Sequence, residues 1–383
     1  LGEKISVFYG NAQYVEGDNT STADTIRSDE NTLVTTLIGN AVYQSTDEYG
    51  KADKIIYDGD SDKVELQGNA YFRNDQNEVS GNQILFDKVT SNVVVSGRSV
   101  LSNPPMLIIA DELDYNSENG TAYADGNVIY QDTSSNIEII CEHARYIDSS
   151  DYMIAYNDVG KPVLKNEVSP EDTLFLSGDT LISYTEQYVV DSMSIDTARF
   201  FIAFHHVELL NKDMQAVADS LRYNGRDGIF TLYDNPTMWS DSSQYAADTI
   251  FINMKNNKLH QLDLVLDASI ISTDDFEYFN QIQGKNITCN FADGEIDKLS
   301  VYGNSQSVFY MKDEDNAYNG VNETTCSDMI FLFENGELIR TNYYKEPTSK
   351  LTPMNMANHE EIRLSRFDWK YDSKPSILED LFF

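Results

Sequence analysis

Gly68-Asn69-Ala70-Tyr71-Phe72 is the stretch that decides the fold, because copies of it recur along the chain at a constant interval. In each copy the opening glycine is followed by residues typical of a β-strand. Successive copies are 29 residues apart and begin at Gly10, Gly39, Gly68, Gly97 and Gly126. A constant interval of this length is the sequence signature of a repeat protein.

A second motif repeats at the same interval, which argues against a chance spacing of glycines. It reads Ala52-Asp53-Lys54-Ile55-Ile56-Tyr57, and related copies begin at Ala23, Gly81 and Ala110, again at steps of 29 residues. The spacing loosens later in the chain. Later copies begin at Gly178, Ala218 and Ala247, with degraded ones at Gly284 and Ser327. Each repeat therefore contains two strand-like segments.

Within a repeat, apolar and polar residues alternate with a period of two. Val64, Leu66, Gly68, Ala70 and Phe72 share one parity, and the residues between them are mostly polar. This alternation predicts strands of about nine residues with one apolar face. Stacked repeats predict an elongated, folded-over sheet with one continuous apolar inner surface. We expect a helical turn only within residues 274–283 and 358–365.

The glycine of the first motif has an inward parity. We expect a β-bulge or a sharp bend there, with clearance for a ligand as the alternative. The recurrent aspartate of the second motif is expected to open a strand beside a turn and to accept backbone N–H bonds. A catalytic or metal-binding role for these repeated carboxylates is the alternative.

Composition excludes some classes of function. The chain has 383 residues with 63 acidic and 27 basic side chains, a formal charge of −36. Such a charge repels phosphate backbones, so we predict no nucleic-acid binding. No apolar run approaches the roughly 18 residues of a membrane-spanning helix. The chain starts as a mature or trimmed product would, so any signal segment is expected to lie outside it.

The sequence offers no recognisable catalytic or metal motif. The cysteines (Cys141, Cys289 and Cys326) show no zinc spacing, and we expect them to be strand residues. Residues 58–62 carry a carboxylate at every second position, as a calcium loop does, but the remaining ligands of such a loop are missing from the sequence. A solvated turn is therefore favoured. His143, His260, His359 and the pair His205-His206 have no zinc spacing either. We therefore predict no catalytic residues, no metal and no cofactor.

The two motifs together resemble those of the OstA-like family, which includes LptA and the periplasmic part of LptD. The resemblance covers almost the whole chain and is strongest over residues 1–255. The looser units of residues 256–383, with Gly303-Asn304 and the closing Leu364-Ser365-Arg366-Phe367-Asp368-Trp369, resemble the long OstA-like proteins of Bacteroidetes-type bacteria. We predict a repeat region at 1–255, continuous with divergent repeats and a C-terminal capping segment at 256–383.

The resemblance implies a β-jellyroll, or β-taco, of stacked antiparallel strands in the periplasm, with outer-membrane association left open. Its slot would shelter the lipid A acyl chains of lipopolysaccharide. The implied partners are lipopolysaccharide and other OstA-fold Lpt components, or a second copy, joined end to end by strand addition. The acidity leaves open how the lipid A phosphates are accommodated.

The inner-face residues are the candidate lipid contacts. They are Tyr14, Tyr43, Ile55, Tyr57, Leu66, Phe72, Ile84, Phe86, Leu113, Tyr115, Tyr130, Leu221 and Tyr223.

Two other classes of function remain open. A β-solenoid scaffold or adhesin would have a tightly filled interior without a slot. A polysaccharide-cleaving β-helix enzyme would have a groove with carboxylates and Arg or Lys at positions that do not follow the repeat. The carboxylates that stand out here recur with the repeat, which favours a non-catalytic lipid carrier or bridge.

Overall fold

The computed structural model describes residues 4–74, 77–169, 172–191, 194–255, 258–292, 294–334 and 336–375. Contacts divide the chain into two compact units. Unit 1 comprises Leu1–Glu167 and Thr180–Tyr184, and unit 2 comprises Val168–Asp179 and Thr185–Phe383. Within the described residues, no helix is long and apolar enough to cross a membrane. The predicted division at residue 255 stays a prediction.

The described residues are built almost entirely from β-strands, which confirms the all-β prediction. The strands are β1 (Ile5–Glu16), β2 (Asn19–Asp29), β3 (Val34–Gln44), β4 (Tyr49–Asp58), β5 (Lys63–Arg73), β6 (Glu78–Asp87), β7 (Asn92–Asn103), β8 (Met106–Asn116), β9 (Thr121–Asp132), β10 (Ile137–Ile147), β11 (Tyr152–Tyr156), β12 (Val163–Ser169), β13 (Asp172–Ser177), β14 (Thr180–Asp191), β15 (Ser194–Leu210), β16 (Gln215–Asn224), β17 (Ile229–Tyr233), β18 (Thr237–Ser240), β19 (Ser243–Ala246), β20 (Thr249–Lys255), β21 (Lys258–Ser272), β22 (Asn280–Ala292), β23 (Glu295–Lys312), β24 (Tyr318–Glu334), β25 (Glu337–Tyr344) and β26 (Thr348–Pro353).

In unit 1, strands β1 to β10 follow one another as an antiparallel meander, each paired with the next. Two strands form each 29-residue repeat, as the sequence predicts, and they are 10 to 12 residues long rather than nine. In β5, Leu66, Ala70 and Phe72 are buried and share one parity. Tight turns between strands keep the register, so the apolar faces of successive repeats line up.

In unit 2, β15 pairs with β16, and β21 to β24 again pair in sequence. Several of its strands are longer than those of unit 1, with up to 18 residues in β23. Shorter strands form side pairings, as where β17 bridges β16 and β20. The less regular spacing of the late sequence motifs reflects these changes in strand length.

The predicted helical turns are only partly correct. Residues 274–278 form bends, in which Asp275 Oδ1 accepts the backbone N–H groups of Glu277 and Tyr278 at 2.8 and 2.9 Å. Residues 358–365 contain turns, one of them closed by the bond from Ile362 N to Asn358 O at 3.2 Å. Short 3-10 helices lie elsewhere, at Asp148–Ser150, Met354–Met356 and Tyr371–Ser373.

The Gly-Asn pair of the first motif forms a β-bulge, which confirms the favoured prediction. In the β5–β6 ladder Gln67 pairs with Gln83 and Ala70 pairs with Gly81, so two residues face one. Gly68 and Asn69 have φ values of +76° and +47°. A bulge of this kind bends the strand and increases its twist. The same shift occurs in β1, β3, β7 and β9.

In three of the five copies, at Gly39, Gly68 and Gly126, the space beside the glycine is occupied by the aspartate of the neighbouring strand. A Cβ on Gly68 would clash with Asp53 Oδ2, the carboxylate of the neighbouring strand. That carboxylate accepts a bond from Asn69 Nδ2 at 3.0 Å, and Asp111 accepts the equivalent bond from Asn127 at 2.6 Å. The aspartate lies in mid-strand beside the bulge, and the prediction that it opens a strand next to a turn is wrong.

The three cysteines lie in strands, as predicted, and are free thiols. Burial raises the pKa of Cys141 to about 12, which keeps it as an unreactive thiol. Cys289 is fully enclosed, and burial also raises its pKa.

We predict that Gly68→Ala lowers the free energy of unfolding by about 2–4 kcal/mol, because it adds a steric clash with Asp53 to the left-handed backbone strain. Gly17→Ala is the matched control. Gly17 also has a positive φ, of +60°, but open space around it. It should therefore lose only the backbone term of about 1–2 kcal/mol. Urea unfolding measures both changes.

The same pair of substitutions can be made in an Asp53→Ala background. There the excess cost of Gly68→Ala over Gly17→Ala should shrink, because the carboxylate that it meets is gone. An excess that persists unchanged without the Asp53 carboxylate would show that something else restricts position 68.

Candidate functional site

Unit 1 contains an apolar pocket of about 260 Å³ between its first strands. Seven of the thirteen predicted inner-face residues line it: Tyr14, Tyr43, Ile55, Tyr57, Leu66, Phe72 and Phe86. Leu37, Ile55 and Leu66 form a buried apolar floor, each at most 3% exposed. Tyr14, which is 50% exposed, stands at the rim, whereas Phe72 is buried at 9% exposure.

One row of inward residues explains why the pocket is where it is. Across the first strands the paired residues are Tyr14, Ser21, Tyr43, Gly50 and Phe72. Ser21 and Gly50 are too small to fill the space between the aromatic residues on either side. The row therefore leaves a gap, and both small residues line it.

Further along the same row the gap is filled. The paired residues after Phe72 are Val79, Leu101, Ile108 and Tyr130, all at most 2% exposed. Position 50 thus carries glycine in one repeat and the equivalent positions 79 and 108 carry valine and isoleucine. This exchange of glycine for valine or isoleucine is the sequence signal for the limits of the pocket. Alternation alone does not reveal it, because parity is the same at every inward position.

The other predicted residues are core side chains in the described structure. Ile84 and Leu113 are at most 1% exposed. The hydroxyl of Tyr130 donates to Asp151 Oδ1 at 3.0 Å, and that of Tyr115 accepts a bond from Asn77 Nδ2 at 3.1 Å. These four residues do not line the pocket. The pocket of unit 1 is therefore lined by residues of the first repeats, from Tyr14 to Lys88.

Leu221 and Tyr223 lie in unit 2 and were predicted to belong to the same surface. Leu221 is 1% exposed. The Tyr223 ring lies 5.6 Å from that of Phe201 and 4.4 Å from that of Phe230, centroid to centroid. Both residues therefore fill an aromatic and aliphatic core within unit 2.

The rim of the pocket carries more negative than positive charge. Lys88 Nζ lies 5.7 Å from the ring centroids of both Tyr43 and Tyr57, a cation–π distance. Glu16 and Glu48 line the same rim. Desolvation, and then the hydrogen bond to Asp62, raise the pKa of Tyr57, so its phenol stays neutral. The pocket is thus suited to an apolar chain. The one basic side chain in its lining that could attract an anion is Lys88.

One group of side chains in the described residues could hold a metal ion: Glu142, His143 and Asp158, in unit 1. Sequence spacing did not reveal it, because Asp158 reaches His143 from the end of another strand. His205 and His206 do not form such a group. They occupy the place of the Gly-Asn bulge between β15 and β16, and their Nδ1 atoms lie 3.2 Å from Asp219 Oδ1 and 3.0 Å from Asp179 Oδ2.

Antiparallel two-strand repeats, Gly-Asn bulges and an apolar pocket within the sheet define the class as a stacked β-repeat protein with an internal apolar site. Residues 3–92 and 171–258 match the family described as LptA/(LptD N-terminal domain) LPS transport protein. The match confirms the OstA-like resemblance over these segments. The first of them contains every residue that lines the pocket.

A solved structure also resembles the chain. It is the crystal structure of LptH from Pseudomonas aeruginosa, the LptA-homologous periplasmic component of a lipopolysaccharide transport device. The identity is 12% over 32% of this chain and 83% of that chain, with a TM-score of 0.25. A comparison with curated proteins found no match.

We expect core and pocket residues of the same strand to differ in their contribution to stability. Ile84→Ala should lower the free energy of unfolding by about 2–5 kcal/mol, because it leaves a cavity in a filled core. Phe86→Ala removes a larger side chain, but that ring lines a space that is already open. Its cost should be below about 2 kcal/mol, measured by urea denaturation. A cost of about 3–5 kcal/mol, normal for a buried phenylalanine, would show that the pocket is closed in solution.

Proposed function

We propose that this chain is a non-catalytic periplasmic component of lipopolysaccharide transport, and that its unit 1 pocket receives part of a lipid A acyl chain. The observation that carries the proposal is the pocket itself. It is apolar, lies between the strands of a segment that matches a family of LPS transport proteins, and is lined by seven inner-face residues.

The size and lining of the pocket suit a transient apolar ligand. Its volume of about 260 Å³ is slightly below the range of roughly 300–1,000 Å³ for small-molecule sites, so it accommodates part of a lipid. Burial of five methylene groups contributes about 4 kcal/mol, at about 0.8 kcal/mol each. Binding of that strength is reversible, as a carrier requires.

The charges at the rim constrain how a lipid can bind. Glu16 and Glu48 oppose a phosphate at the pocket mouth, and Lys88 attracts one. The binding energy must therefore come mainly from the acyl chain, with the anionic headgroup in solvent near Lys88. This arrangement needs no basic surface, in agreement with a formal charge of −36.

A scaffold without ligand is the second candidate function. The filled interior beyond the first repeats favours it, because Leu101, Ile108 and Tyr130 are at most 1% exposed. A carrier and a scaffold differ in whether lipid reaches the inner face of the first strands.

Photo-crosslinking distinguishes the two functions. A photoreactive amino acid that replaces Phe72 or Phe86, on the purified chain incubated with lipopolysaccharide, should label the lipid. The matched controls are Tyr71 and Leu85, the preceding residues in the same strands, which lie outside the set that lines the pocket. They should give little labelling, as should Glu65 on the polar face.

A photoreactive residue at a buried position tests how far the lipid enters the sheet. Tyr115 is 5% exposed and does not line the pocket, so its replacement should label lipid less than that of Phe72. Equal labelling at Leu85 and Phe86, or no labelling at all, would contradict the carrier. Strong labelling at Tyr115 would show that the slot opens further along the sheet when lipid is present.

We also propose that strand β1 docks a partner by strand addition. Among the described pairings, β2 is its only neighbour. Its sequence has neither lysine nor proline, the residues that normally protect a free edge. Phe8, Tyr9 and Val15 are 54%, 77% and 58% exposed. A strand with exposed apolar side chains and one described partner suits a second OstA-type sheet or another copy of the chain.

We expect the purified chain to self-associate with increasing concentration in sedimentation velocity. Tyr9→Lys should weaken this association about tenfold or more, because it places a charge on the edge strand. Leu33→Lys makes the same charge change at a turn residue that is 55% exposed, and it should leave association unchanged. Equal effects of the two lysines would indicate general charge repulsion and rule out docking through β1.

A further inference from the structure

We propose that Glu142, His143 and Asp158 form a binding site for a divalent transition-metal cation of the zinc type. The site lies in unit 1, outside the apolar pocket, and it does not depend on lipid transport. One ligand atom from each of the three side chains lies within 4.8 Å of the others.

The site departs from the repeat, which is what separates it from the structural carboxylates. Glu142 faces the Gly126-Asn127 bulge, the place that aspartate takes in other repeats. In the well-preserved copies of the second motif the next residue is Thr25, Lys54, Gln83, Glu112, Ser220 or Thr249. Here it is His143. A side chain that the repeat does not require at this position calls for its own explanation.

The imidazole of His143 is held in one orientation. Its Nδ1 lies 2.7 Å from Asp125 Oδ1, and its ring stacks on Tyr156 at a centroid distance of 5.0 Å. Metal-binding histidines almost always donate their second ring N–H to such a carboxylate, which fixes the tautomer and directs the other nitrogen to the metal. Asp125 therefore serves as a positioning residue for Nε2.

The second ligand comes from the same strand and is fixed by the loop that follows β11. Glu142 N donates to Asn157 Oδ1 at 2.7 Å. In return, Glu142 Oε2 accepts the backbone N–H of Asp158 at 2.7 Å and that of Val159 at 3.4 Å. These bonds engage Oε2, so Oε1 remains to coordinate a cation. They also hold Asp158 next to His143.

The facing atoms need a positive species between them. When Nδ1 donates to Asp125, Nε2 presents a lone pair, and Asp158 Oδ2 lies 3.5 Å from it. A lone pair and a carboxylate oxygen repel each other at that distance. A proton on Nε2 removes this repulsion, and a divalent cation in place of that proton would also engage the free oxygen of Glu142. The 79% exposed side chain of Asp158 can rotate to complete the coordination.

The ligand types select the cation. Calcium and magnesium take oxygen ligands, whereas imidazole suits zinc and its neighbours. Zinc binds histidine nitrogen and carboxylate oxygen at about 2.0–2.2 Å, and three protein ligands leave a fourth position for water. One imidazole with two carboxylates therefore fits Zn²⁺ better than Ca²⁺ or Mg²⁺.

Isothermal titration of the metal-stripped full chain with ZnCl₂ tests the site. We expect one Zn²⁺ to bind more tightly than any other, and neither Ca²⁺ nor Mg²⁺ to compete at equal concentration. His143→Gln and Asp158→Asn should each weaken this event at least tenfold. His260→Gln is the matched control, an exposed strand histidine outside the site, and it should leave the tight event intact.

Asp125→Asn tests the positioning role. It leaves all three ligands in place but changes the partner of Nδ1, and should weaken zinc affinity about 10- to 100-fold. Circular dichroism melts show whether each variant folds. If His143→Gln fails to fold, Asp158→Asn still tests the site, because Asp158 lies in an exposed loop. Zinc binding that is unchanged in both ligand variants, or lost equally in His260→Gln, would overturn the proposal and show adventitious surface binding only.

Discussion

The bulge of the Gly-Asn pair is the constraint on which the rest of unit 1 depends. Gly68 and Asn69 face one residue of the next strand with left-handed backbone angles, and Asn69 bonds the carboxylate of Asp53 on the preceding strand. This arrangement bends the sheet at the same point in successive repeats. Because a slip of one residue would turn the apolar face outward, the interlocking bulge and aspartate also hold the register. The continuous apolar interior follows from that alignment.

Given the register, the size of a few inward side chains decides whether the interior is open or solid. Gly50 and Ser21 leave space between Tyr14, Tyr43 and Phe72, whereas Val79 and Ile108 fill the same row further along. The backbone architecture of these repeats is otherwise alike. A repeat sheet can thus combine a stable packed core with a small binding site. The bulges bend the sheet, whereas the size of the inward side chains decides separately whether each row is filled.

Much of the fold was predictable because period-two alternation and a 29-residue interval are properties of the sequence alone. Strand number per repeat and the bulge follow from them, and so does the inward parity of the predicted residues that line the pocket. The extent of the pocket did not, because parity shows which way Tyr115 and Tyr130 point but not whether a neighbour fills the space beside them. The position of Asp53 was predicted wrongly for a similar reason, because its partner, the Asn69 amide, lies 16 residues further along the chain.

The net negative charge of the molecule affects how a lipid could reach the pocket, whereas the apolar lining affects how tightly it could be held. A formal charge of −36 repels anionic membrane surfaces and lipid headgroups beyond contact, although only over a Debye length of about 8 Å in physiological salt. Long-range attraction therefore cannot bring a lipopolysaccharide molecule to the pocket. A carrier of the proposed kind would therefore be loaded by direct transfer from a docked neighbour, across an edge such as β1, whose residue Tyr14 also lines the pocket. The exposed apolar side chains of β1 and the apolar pocket share one strand, so in the proposed function docking and transfer would be parts of one process.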